Sequence, residues 1–155
     1  MQFEHVVVVN DPKDPLNVPL GREQVWAGLM RRVENPLPFQ IGLESCEILE
    51  RSPGRVERLL DFGSFQMRDT VRYEDSEWVS FESAPSEDRA GGLLTIRIEE
   101  PDLGYLVLRF RYDTTLDDRA GGEAAEVAGF VRSAYHQADI DTVRRIREYA
   151  AQTLH

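Results

Sequence analysis

From about Gly122 to Leu154 the chain reads as one long helix, and this helix limits the fold more than any other feature. At 100° per residue, Val127, Val131, Ala134, Tyr135, Ala138, Thr142, Ile146 and Tyr149 fall within a stripe of about 120°. Two of these residues are small and two carry a phenol. Roughly 32 residues at 1.5 Å each run about 48 Å. That is long enough to lie across a whole curved sheet, and everything before the helix reads as short strands with a brief helical insert. The expectation is a sheet that wraps this helix and leaves a pocket between them.

The remaining bounds come from length and charge. A chain of 155 residues suits one domain, here 1–155, with a substantial core. Its formal net charge of −10 argues against binding to phosphate backbones and to anionic membrane surfaces. Lys13 is the one lysine among 18 basic residues, which reads as the codon bias of a GC-rich bacterial genome. The single cysteine, Cys46, excludes an internal disulfide. The N-terminus lacks the pattern of a signal peptide, and the apolar run Val6–Val9 is far too short to span a bilayer, so a cytoplasmic protein is expected.

Phe3 to Val9 is β-branched and stops at Asn10-Asp11-Pro12, so it reads as a strand. Phe3, His5, Val7 and Val9 form the face without a carboxylate, which places His5 inside; Asn10 falls on the opposite face. A proline-rich connection then leads to a helix over 22–34 with a buried stripe of Val25, Trp26, Leu29, Met30 and Val33. Gly21 caps it weakly and Asn35-Pro36 ends it. A short helical turn over 36–42 is expected to bring Phe39 and Ile41 inward. Six strands follow near 43–51, 55–62, 65–74, 77–84, 92–100 and 104–114, separated by short turns that imply antiparallel neighbours. Leu94, Ile96, Ile98, Leu106, Leu108, Phe110 and Tyr112 face in; Arg97, Arg109 and Arg111 face out. The pentapeptide Asp-Arg-Ala-Gly-Gly occurs at 88–92 and 118–122, with unrelated flanks that make it punctuation rather than a repeat.

Gly63-Ser64 suits a two-residue type II′ turn. That register sets Phe62 opposite Phe65, Leu60 opposite Met67, Arg58 opposite Asp69 and Val56 opposite Val71, all on one face. A charged pair on a core face must be mutual, because either charge buried alone costs several kcal/mol. Arg58 and Asp69 are then either a polar anchor for a ligand or a structural cross-strand pair. His5 has no partner adjacent in sequence, so a hydrogen-bonded inner histidine is the plain account beside a general base. Cys46 reads as a small hydrophobe. His5 and Cys46, placed on neighbouring strands, lack the further ligands a metal would need, and no cofactor fingerprint is present. Asp139 falls at the edge of the helix stripe, and Asp141 is placed to pair with Arg144 or Arg145.

The order of strand, two short helices, six meandering strands and long C-terminal helix resembles the birch-pollen-allergen and START-related lipid-transfer (SRPBCC) superfamily. Within it the chain is similar to the AtaL-like branch. The residues that carry this are Phe3-Glu4-His5 with Asn10-Asp11-Pro12, Arg22-Glu23-Gln24-Val25-Trp26, Glu47-Ile48-Leu49-Glu50, Ile98-Glu99-Glu100-Pro101, and Tyr135 through Val143. Gly21 departs from the threonine expected before Arg-Glu-Gln. The resemblance implies an α+β helix-grip fold: a seven-stranded curved antiparallel sheet wrapped around the last helix, two short helices after the first strand, and an internal apolar cavity.

Three functions compete. The first is non-catalytic binding of a small hydrophobic molecule such as a lipid, polyketide or aromatic metabolite. The residues expected at that site are His5, Arg58, Met67, Asp69, Phe110, Val131, Tyr135, Ala138 and Thr142. The second is a cyclase- or dehydratase-like enzyme using His5, Tyr135 or the Arg58–Asp69 pair for proton transfer. The third is a homodimeric interaction protein with a filled core, in contact through Phe130 and Ile140. The absence of any catalytic motif sets the first ahead, with no cofactor, metal, nucleic acid or membrane as partner.

Overall fold

The β-branched and alternating segments form seven strands, and the two periodic segments form helices. The computed structural model describes residues 1–86, 91–115 and 123–153. In chain order these are β1 (Gln2–Asn10), α1 (Arg22–Glu34), a 3₁₀ turn (Leu37–Phe39), β2 (Ser45–Ser52), β3 (Arg55–Asp61), β4 (Gln66–Glu74), β5 (Trp78–Ser83), β6 (Gly92–Asp102), β7 (Tyr105–Thr114) and α2 (Glu123–Thr153). Apart from Gly91 and Gly92, both pentapeptide copies lie outside the described residues, as do Leu154 and His155.

The strands make one antiparallel sheet in the order β1-β7-β6-β5-β4-β3-β2. Five sequential hairpins build it, and β1 closes onto β7, so the first and second strands become opposite edges. This curved sheet and its long terminal helix are a helix-grip α+β fold. His5 and Cys46 are therefore at opposite edges of the sheet, not on neighbouring strands. Among the described residues no group of three or more His, Cys, Asp or Glu gathers as metal ligands, and no helix is long and apolar enough to cross a membrane.

The inner faces of β6 and β7 hold Ile96, Leu108 and Phe110, each fully buried. Helix α1 packs on α2, and Gly28 makes that approach possible. A Cβ at Gly28 would lie 2.7 Å from Ile146 Cγ1, in a side chain that is itself fully buried. Asn10 turns inward because the β1–β7 register shifts between Val8 and Asn10. Its amide donates to Leu20 O at 2.7 Å and accepts from Leu20 N at 2.9 Å, clasping the proline-rich connection shut. Phe39 packs against the core, whereas Ile41 is 99% exposed because the chain leaves the 3₁₀ turn before reaching it.

Helix α2 sits rotated from the expected stripe. Asp139, Thr142, Val143, Ile146 and Ala150 are its buried residues over the second half, while Val127, Ala134 and Tyr135 are exposed. On the helical wheel the buried face is centred nearer Asp139 than Ala138. Helix α2 packs on α1 and β1. Its Val131, Tyr135 and Ala138 side lines a cavity, while Ala128 is buried and Tyr135 also stacks on Tyr112.

Candidate functional site

The β3–β4 hairpin has the register that its turn demands. Phe62 N donates to Phe65 O at 2.9 Å, and Gly63 holds φ +86, the left-handed value a type II′ turn needs at its first central residue. Arg58 therefore faces Asp69, and Leu60 faces Met67. Arg58 is 1% exposed. Its Nε donates to Asp69 Oδ1 at 2.8 Å and its Nη2 to Asp69 Oδ2, a bidentate pair. Its Nη1 reaches Arg32 O at 3.2 Å and Val33 O at 3.0 Å. These are terminal carbonyls of α1, which have no partner inside the helix. Arg58 thus ties β4 to the C-terminus of α1.

Between the hairpin, the inner faces of β5 and β6, and the side of α2 that runs from Val131 to Arg145 lies a cavity of about 1060 Å3. Leu60, Phe62, Phe65 and Met67 line one side; Val131, Tyr135 and Ala138 line the other; Phe39, Phe81, Leu94 and Tyr112 lie between. Leu37 and Ile41, 42% and 99% exposed, form its mouth. Arg32 also reaches the cavity, and Gln40 Oε1 is a buried acceptor there with no partner among the described residues. A smaller cavity of about 450 Å3 shares Arg58, Arg68 and Asp69 with it.

Of the residues expected at the site, Arg58, Met67, Asp69, Val131, Tyr135 and Ala138 line this cavity. His5, Phe110 and Thr142 do not. Phe110 is fully buried in the sheet core, and Thr142 Oγ1 accepts from Arg32 Nη1 at 2.9 Å while donating to Ala138 O at 3.0 Å. His5 lies behind the cavity wall. Its Nδ1 is 2.9 Å from Asp139 Oδ2, and its ring stacks on His136 with centroids 4.5 Å apart.

Asp139 is the residue that sequence reasoning misplaced most. It is fully buried, and its Oδ1 accepts from the Tyr112 hydroxyl. Burial holds its carboxyl above the ordinary carboxylate range, against the opposing pull of the His5 and Tyr112 hydrogen bonds and of the Arg32 charge. Burial and the nearby Asp139 push the Tyr112 phenol far up, so Tyr112 is a neutral donor. Phe3, Tyr112 and Tyr135 form a cluster of near-parallel rings, with Tyr112 4.8 Å from Phe3 and 4.6 Å from Tyr135. The Cys46 thiol is pushed up by burial, which keeps it protonated.

Arg32 and Asp139 both had a legible signal. Arg32 is three residues after Leu29 and seven after Val25, and Asp139 is four before Val143 and seven before Ile146. Helical spacing placed both on buried stripes; their charge argued the other way.

The family described as AtaL, acetylaranotin biosynthesis cluster protein L, matches residues 7–153. The chain belongs to the AtaL family. No curated protein matches it. Among solved structures it is similar to the Zhui aromatase/cyclase from a Streptomyces species, at 16% identity and a TM-score of 0.64, over 100% of this chain and 96% of that one. It is similar to the di-domain ARO/CYC protein StfQ of the steffimycin biosynthetic pathway at 11% identity and a TM-score of 0.70, over 99% of this chain and 52% of that one. It is similar to human STARD10 at 9% identity and a TM-score of 0.65, over 99% of this chain and 66% of that one. At these identities the likeness is one of fold, and it places this member of the AtaL family among helix-grip proteins.

Proposed function

We propose that the protein binds one small hydrophobic molecule, a lipid, polyketide or aromatic metabolite, between α2 and the sheet, without transforming it. The observation that carries this is the cavity of about 1060 Å3 lined by Phe39, Phe62, Phe65, Phe81, Tyr112 and Tyr135. Its volume suits a molecule of drug or lipid size, and aromatic walls offer apolar area at little entropic cost. The aromatase/cyclase and START neighbours support the same reading by fold analogy.

The enzyme reading has one favourable observation: the chain from Tyr112 in the cavity wall through Asp139 to His5. Its chemistry argues against catalysis. The Tyr112 proton already points into Asp139, Asp139 and His5 do not line the cavity, and Tyr135, which does, has its phenol pushed up by burial and by Asp139, away from a poised acid or base. The dimer reading asks for a filled interior, and the interior is open. Phe130 and Ile140, 77% and 42% exposed, are the surface a homodimer would use.

Titration with an environment-sensitive apolar dye, followed by competition with fatty acids and with aromatic polyketides, tests the proposal. Saturable binding displaced by at least one class, with the competitor recovered unchanged, is expected. Binding that no class displaces contradicts it.

A further inference from the structure

Arg32 sits in the last turn of α1, is 9% exposed, and lines the cavity. Its guanidinium makes one hydrogen bond among the described residues, from Nη1 to Thr142 Oγ1. Arg58, its neighbour across the Phe81 ring, has a carboxylate of its own; both guanidinium carbons stand 5.2 Å from that ring centre. Asp139 is committed to His5 and Tyr112. Arg32 therefore presents the remaining edge of a guanidinium to the cavity with no carboxylate partner among the described residues. Asp139 and Asp69 act on it only at longer range, so no carboxylate among the described residues pairs directly with this buried cation, and burial lowers its hold on the proton.

The wall around it has the same sign. Among the described residues, the cavity lining includes Arg32, Arg58, Arg68, Arg144 and Arg145 against two acidic residues, Asp69 and Asp141. Asp69 is taken by Arg58, Asp141 by Arg144, and Arg145 pairs with Glu148, which leaves Arg32 and Arg68 without an ion pair among the described residues. In a chain of net charge −10 this is a positive recess in an acidic molecule, which attracts an anion and concentrates it at the mouth.

We propose that the ligand is an organic acid whose carboxylate docks on Arg32, with its apolar body along Phe39, Leu60, Phe65, Met67 and Leu94. This rests on the cavity being a binding site, as proposed above. A planar guanidinium edge matches a carboxylate with two parallel hydrogen bonds, and the apolar body fills the part of the cavity without charge.

Calorimetric titration with two matched pairs tests this: pyrenebutyric acid against its methyl ester, and dodecanoic acid against its methyl ester. The two pairs separate an aromatic from an aliphatic body. In at least one pair the acid binds about tenfold or more tighter than the ester. Arg32→Met removes that preference, so acid and ester bind alike. Equal binding of acid and ester in both pairs overturns the carboxylate assignment while the cavity reading stands; no binding of any of the four contradicts both. Acid preference that survives Arg32→Met overturns the role of Arg32. If that variant does not fold, Arg32→Lys decides. It keeps the charge but loses the fork, so the preference falls by about threefold or more, and an unchanged ratio overturns the role.

Discussion

Arg58 donates four of the five hydrogen bonds available to a guanidinium, two to Asp69 and two to the end of α1. Removing either partner of the pair leaves a buried charge alone. Asp69→Asn and Arg58→Met are each expected to destabilise by about 2–4 kcal/mol, with Arg58→Met the larger because it also uncaps α1. The double variant Arg58→Met, Asp69→Leu recovers part of the loss, and strict additivity in thermal unfolding would contradict the pairing. Asp139 gives the opposite sign. Its folded pKa is raised, so its contribution to stability is present when it is protonated and is lost as pH rises through that raised value. Asp139→Asn should therefore gain on the wild type in melting temperature as pH rises above the ordinary carboxylate range. If the variant instead falls behind there, the paired carboxylate is net stabilising.

At the scale of elements, the β3–β4 hairpin was legible because a two-residue turn leaves one register, and a slip of one residue would turn every apolar side chain outward. Helix α1 was legible from its spacing and from Asn35-Pro36. Helix α2 was legible in length but not in rotation. Apolarity along a helix marks what avoids water, and Val131, Tyr135 and Ala138 line a cavity, with Tyr135 also stacked on Tyr112. The face that packs centres on Asp139, whose partners His5 and Tyr112 come from β1 and β7, 134 and 27 residues away in sequence. No local pattern could show that convergence. The α1–α2 contact gives a direct check on the packing. Gly28→Ala gains helix propensity of about 1 kcal/mol but drives a methyl into Ile146, where overpacking costs about 1–3 kcal/mol. A net loss of melting temperature is expected, larger for Gly28→Val; a gain in both would show that the helices are not in contact at Gly28.

At the scale of the molecule, the sheet is anchored to α2 on the β1 side and parted from it on the β3–β4 side, and that asymmetry makes the cavity. The family match covers residues 7–153 and fixes the architecture, while the ligand is left to the chemistry of the walls. Six of the nine residues expected at the site line the cavity; His5, Phe110 and Thr142 support its wall from behind. The most direct test fills the space without touching a charge. Ala138, half-buried on the cavity side of α2, can be replaced by Trp and the apolar dye titrated against both proteins. One saturable site in the wild type is expected, with at least tenfold weaker binding in Ala138→Trp at an undiminished melting temperature. Equal dye binding by a folded Ala138→Trp variant would place the ligand elsewhere and contradict the account.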